Sequence, residues 1–183
     1  MLKLKIYFFL LLTAVSYAQD GWVNFADENE INIKITEQIK KFKIKNFDFV
    51  ATWNGEMTPN EKFGFLGGVK SFKIFYENKQ IDEHVNIPDN IGLDYVIMRF
   101  YDYNFDGFID FTIQTDCGGS CYSDYYLYDQ KQQKFKFQKD WNIRIQKINK
   151  KEKLILTQPD GMQDNRELFR VEGYKLIKLK IID

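Results

Sequence analysis

The chain has 183 residues, with 26 basic and 26 acidic side chains, so its formal net charge is zero. That balance excludes a partner held by a broad basic surface, as in most nucleic-acid binders. One histidine and two cysteines leave little material for a zinc centre or for histidine-assisted nucleophilic catalysis.

In chain order, the first segment reads as an export signal. Lys3 and Lys5 precede the apolar stretch Ile6 to Val15, which is too short to span a bilayer, and Ser16-Tyr17-Ala18 then offers a small-x-small cleavage site. The expected product is a periplasmic or secreted protein without a membrane span, beginning at Gln19. Residues 19–183 show no Pro/Ser linker or shift in composition and read as a single domain with enough chain for a proper core.

The next segments read as strands. Ile31 to Lys41 suits a helix or a strand about equally. Period-2 alternation is plain in Phe42-Lys43-Ile44-Lys45 and from Val69 to Phe75, and polar connectors such as Glu77-Asn78-Lys79-Gln80 have hairpin length. His84 lies in the polar stretch Asp82 to Asn86 and reads as an ordinary surface residue.

Residues 102–110, Asp-Tyr-Asn-Phe-Asp-Gly-Phe-Ile-Asp, carry the clearest chemistry. Asp102, Asn104, Asp106 and Asp110 fall at loop positions 1, 3, 5 and 9, and Gly107 stands at position 6. The Phe108 carbonyl at position 7 would add another oxygen. Ca²⁺ takes six to eight hard oxygen ligands, and a short loop can supply them only by turning sharply, which glycine permits. Position 12 is Ile113 rather than the bidentate Glu of a helix-loop-helix site. The flanks Tyr95 to Phe100 and Ile109 to Ile113 are β-branched and aromatic, so a strand-loop-strand calcium site is expected. With at most three carboxylates, its affinity belongs with weak extracellular modules, Kd about 10⁻⁴ to 10⁻³ M, and the metal is expected to be structural.

Cys117 and Cys121 follow, spaced C-x3-C, and in an oxidising compartment they favour a local disulfide. Tyr122, Tyr125, Tyr126 and Tyr128 come next. They read either as alternating core and surface residues or as an exposed platform for a protein partner, with Tyr122, Tyr125 and Tyr126 the partner-binding candidates. The remainder alternates again, in Phe135-Lys136-Phe137, Ile143 to Ile148, Leu154-Ile155-Leu156, Leu168 to Val171 and Tyr174 to Leu179. The expected fold is all-β, an antiparallel meander of about ten short strands. No G-x-S-x-G elbow, phosphate-cradling loop or H-E-x-x-H motif is present, and the chain reads as a non-enzyme.

The stretch Val96 to Phe111, with Gly118-Gly119, Tyr125-Tyr126-Leu127-Tyr128-Asp129 and Lys134-Phe135, resembles a family of exported bacterial β-propeller-like proteins with an EF-hand-like calcium loop. Known examples are periplasmic inhibitors of lysozyme-like peptidoglycan hydrolases. The resemblance covers about a quarter of the mature chain. It implies a β-propeller-like fold, Ca²⁺ on Asp102, Asn104, Asp106, Phe108 and Asp110, and inhibition of a peptidoglycan hydrolase bound as protein partner. It carries no inhibitory motif onto this chain. The competing expectation is a secreted, calcium-stabilised adhesion or interaction module. Adhesion propellers repeat their Asp-rich loops, whereas this chain has one.

Overall fold

The computed structural model describes residues 21–60, 64–87, 90–117, 121–159 and 165–182. The expected signal segment therefore lies outside the described residues. Strands run in chain order as β1 (Val23–Asn24), β2 (Ile31–Ile35), β3 (Lys41–Ile44), β4 (Phe47–Asn60), β5 (Gly64–Tyr76), β6 (Lys79–Val85), β7 (Ile91–Leu93) and β8 (Val96–Tyr101). They continue as β9 (Asp110–Cys117), β10 (Cys121–Asp129), β11 (Lys134–Gln138), β12 (Ile145–Asn149), β13 (Leu154–Thr157), β14 (Arg166–Glu172) and β15 (Lys175–Ile182). The only helical element among the described residues is a 3₁₀ turn at Phe25–Asp27. The ambiguous segment Ile31 to Lys41 is strand over Ile31–Ile35, an irregular connection over residues 36–40, and strand again from Lys41.

All pairings are antiparallel and form three five-stranded sheets, so the all-β, antiparallel expectation holds. The N-terminal sheet has the order β3-β4-β5-β6, with β7 also on β5. The central sheet is β11-β10-β9-β8-β2, and the C-terminal sheet is β1-β12-β13-β14-β15. Two features depart from a meander of about ten short strands. β4 and β5 form a long hairpin of 14 and 13 residues, and β1 and β2 cross over to pair with β12 and β8.

The central sheet is buried on both faces. Val96, Met98, Phe100, Phe111, Tyr126 and Tyr128 join Phe49, Phe72 and Ile74 of the N-terminal sheet in one core. Tyr101, Tyr125 and Leu127 join Trp141, Ile148, Ile155 and Phe169 in a second core against the C-terminal sheet. Neighbours on β10 therefore serve opposite cores, as the alternating directions of strand side chains require. A strand covered on both sides reads as a continuous apolar run, and Tyr-Tyr-Leu-Tyr is such a run.

That geometry corrects the exposed tyrosine platform. Tyr125 and Tyr126 are 5% and 4% exposed. Tyr126 stacks on Phe111 with ring centroids 4.7 Å apart, and Tyr125 donates its hydroxyl to the Ile143 carbonyl at 3.1 Å. Tyr122 alone of the three candidates is half-buried at the rim, with the Arg144 guanidinium 5.6 Å from its ring. His84 also departs from a surface role. Its ring stacks on Phe72 at 4.8 Å, meets Tyr126 edge-on at 4.9 Å, and pairs through Nε2 with Asp82 at 3.1 Å.

Candidate metal centre

The candidate loop joins β8 to β9 in the middle of the central sheet, so its two ends are held by ladder bonds from Phe100↔Phe111 and Tyr101↔Asp110. Its residues reach into both cores, with Tyr103 on one side and Ile109 on the other. Two residues take left-handed backbone, Phe105 at φ 58° and Gly107 at φ 91°. A Cβ built on Gly107 would meet nothing within 4 Å, so glycine serves the turn itself rather than a close contact.

The acidic side chains organise the turn through backbone N–H groups. Asp102 accepts from Asp106 N–H and Gly107 N–H, each at 2.9 Å, one on each carboxylate oxygen. Asp106 accepts from Phe108 N–H at 3.0 Å and from the Asn104 side-chain amide at 2.9 Å. Asp110 is fully buried. It accepts from Tyr103 N–H at 2.9 Å and Asn104 N–H at 3.4 Å on one oxygen, and from Tyr128 N–H at 2.8 Å on the other. These bonds bring the four predicted ligand side chains and Phe108 into one compact loop.

Two features of this loop bear on whether it could hold a cation. First, Asn104 is 2% exposed and its side-chain Oδ1 has no hydrogen-bond donor. Its orientation follows from the network, because the amide nitrogen already donates to Asp106. A buried acceptor without a partner costs about 1–3 kcal/mol. Second, three carboxylates share the site. Burial pushes the Asp110 carboxyl well above its usual range, and the nearby Asp106 and Asp102 charges add to that rise while the Tyr128 and Tyr103 N–H groups oppose it. Burial also raises Asp102, against its bonds from Gly107 and Asp106. A cation would relieve both the repulsion and the unpartnered oxygen.

The donor set is hard oxygen throughout, which fits Ca²⁺ and does not fit thiolate- or imidazole-seeking metals. Among the described residues, no three acidic, histidine or cysteine side chains already surround a common point. The Asp102 and Asp106 carboxylates face N–H groups, and each retains lone pairs for a metal. The residues present therefore fit calcium in the chemistry of their donors.

Beyond the loop, Cys121 is disulfide-bonded, and the one other cysteine of the chain, Cys117, stands opposite it in the β9–β10 ladder. A polar node that the sequence did not reveal lies beside the site. The Tyr103 hydroxyl donates to Glu30 at 2.6 Å, and Arg99 Nε stands 3.7 Å from the same carboxylate. Nothing in the local pattern around Glu30 signals this, because its partners come from β8 and the loop some seventy residues away. Trp141, 1% exposed with its indole N–H on the Tyr174 carbonyl at 2.8 Å, is likewise an anchor formed only by the tertiary fold.

No family model matches this chain, and neither does any curated protein or solved structure.

Proposed function

We propose that this chain is an exported, non-catalytic binding protein, stabilised by one Ca²⁺, that captures and inhibits a lysozyme-like peptidoglycan hydrolase. The observation that carries the calcium reading is the unpartnered, buried Asn104 Oδ1 in a loop whose other candidate ligands, Asp102, Asp106, Asp110 and the Phe108 carbonyl, are all hard oxygens. The metal would tie the turn between β8 and β9 and thereby the centre of the sheet that both cores share. Export and the hydrolase partner rest on the sequence pattern and the family resemblance. So does a propeller-like arrangement of the three sheets.

A binding protein gains affinity when its contact surface is ordered before docking. The disulfide at Cys121 and the calcium loop both stiffen connections of the central sheet, and Tyr122 with Arg144 supplies an aromatic and cationic rim beside it. Arginine and tyrosine are common anchors of such interfaces.

The test is a pull-down of lysozyme-like hydrolases by residues 19–183 in calcium, with peptidoglycan hydrolysis followed in the same samples. One-to-one capture with loss of hydrolysis is expected. A panel that yields neither capture nor inhibition overturns the inhibitor assignment. Calcium titration calorimetry decides the metal separately.

A further inference from the structure

We propose that the N-terminal sheet carries a saccharide-binding groove in which the Trp53 indole is the platform for one sugar ring. The groove is open, has a volume of about 910 Å³, and lies beside β4 and β5, with none of residues 102–110 in its lining. Its size is that of a small-ligand site.

The indole is held in place by the backbone beneath it. Trp53 sits at a bulge in the β4–β5 pair, is half-buried, and packs partly against the core. A Cβ built on Gly67 would stand 2.3 Å from Trp53 Cζ2, so the ring lies directly over the bare glycine backbone. Gly67 in turn pairs with Gly92 of β7, and a Cβ on Gly92 would fall 1.8 Å from the Tyr95 carbonyl oxygen. Asn90 fastens this layer, accepting from Val69 N–H at 2.6 Å and donating to the carbonyls of Val69 and Ile87. The result is an aromatic ring seated closely on a glycine floor that would admit no added side chain without a shift.

The remaining walls select the ligand class. Thr52 and Gln38 offer neutral hydrogen-bonding groups, and Glu37, Asp94 and Lys70 add two acids and one base. That near-neutral set, with an acidic excess of one, argues against a phosphate-bearing ligand, which would seek clustered cations. A pyranose suits it. One face of the ring presents C–H bonds to an aromatic surface, and the equatorial hydroxyls meet amides, hydroxyls and carboxylates at the edge. Covering a strand glycine with an aromatic ring also stabilises a sheet. A ring serving only that purpose needs no polar groove beside it, and the experiment separates the two roles.

The assignment is independent of hydrolase inhibition. Indole N–H resonances of the full mature chain are followed by NMR while the trisaccharides of N-acetylglucosamine and of glucose are added, up to about 10 mM for a Kd near 1 mM. The Trp53 signal is expected to shift saturably with at least one of them, whereas that of buried Trp141 stays still. Asp94→Asn, at the exposed rim, is expected to weaken binding several-fold with the melting point unchanged. Gly67→Ala displaces the indole and is expected to abolish the shift, and circular dichroism confirms that this variant folds. A Trp53 signal indifferent to both sugars in the folded wild-type protein overturns the proposal and leaves the indole as cover for the strand.

Discussion

Asp110 Oδ1 accepts the Tyr128 N–H at 2.8 Å, so a side chain from the end of the loop continues the β9–β10 ladder where the backbone pairing stops at Phe111↔Tyr126. The other oxygen holds Tyr103 N–H. Asp110 therefore joins the loop to the sheet whether or not a metal is present. Asp110→Ala strands three backbone N–H groups, those of Tyr103, Asn104 and Tyr128, and a stranded group costs about 1–3 kcal/mol. The variant is expected to lose at least about 2 kcal/mol in urea unfolding even in EDTA. Equal stability of variant and wild type in EDTA would show that these bonds hold nothing together.

Asn104 gives the opposite pattern. Its Oδ1 has no partner in the protein, so Asn104→Ala removes little there beyond the amide bond to Asp106. If the proposed site binds with Kd about 0.1 mM, calcium at about 1 mM would add roughly 1.4 kcal/mol to the wild type. For a domain of this size that raises Tm by about 3–6 °C. The rise is expected to shrink or vanish in Asn104→Ala, while the two EDTA melting curves lie closer together. Scanning calorimetry with and without calcium checks both statements.

Asp82 sets an acid limit. Burial alone would raise its carboxyl, but the His84 hydrogen bond, the Phe135 N–H at 2.8 Å and the Glu83 N–H outweigh that and hold it below the ordinary aspartate value. A carboxylate depressed in the folded state contributes stability above its unfolded pKa and loses it as pH falls through the folded one. The stability difference between wild type and Asp82→Asn is therefore expected at neutral pH and should diminish below about pH 4. Denaturant titrations across pH 2–7 would contradict this if the difference were constant.

Reduction of the disulfide has a bounded effect. The bond closes a hairpin turn of only a few residues between facing strand positions, and so short a loop contributes about 2 kcal/mol at most before strain. Cys121→Ser is expected to lower Tm by several degrees and leave the circular dichroism of the sheets intact. Global unfolding on treatment with a reductant would give the bond a larger part than loop closure allows.

Legibility followed the range of the interactions. β3 and the core of β5 were readable because one face of each alternates with lysine or polar side chains. The strand-loop-strand form of residues 102–110 was readable because the loop's glycine, its Asx residues and its flanking strands are contiguous. The full length of β4 was not read from the sequence, and the strand runs through Pro59 with register shifts near Met57 and Pro59. Tyr125 and Tyr126 were ambiguous because burial on two faces erases alternation. His84 was misread for a related reason: its neighbours Asp82, Glu83 and Asn86 are polar, but Phe72 and Tyr126 approach from other strands. The Trp53 groove gave no sequence signal, since it depends on Gly67 lying under a residue from the adjacent strand.

The crossover of β1 and β2 constrains the order in which the chain can acquire its structure. Ile31 to Ile35 pairs with β8, and Val23 waits for Ile148, over a hundred residues further on. A chain emerging from its N-terminus thus presents first the segments whose partners come last. Such long-range pairing is slow, because loop closure precedes the contacts that reward it. Pulsed hydrogen exchange during refolding should find the β4–β5 hairpin protected before Ile31 to Ile35; simultaneous protection would argue against this order. The two N-terminal strands are a clasp that closes late, and until it closes one edge of the central sheet stays open to other strands.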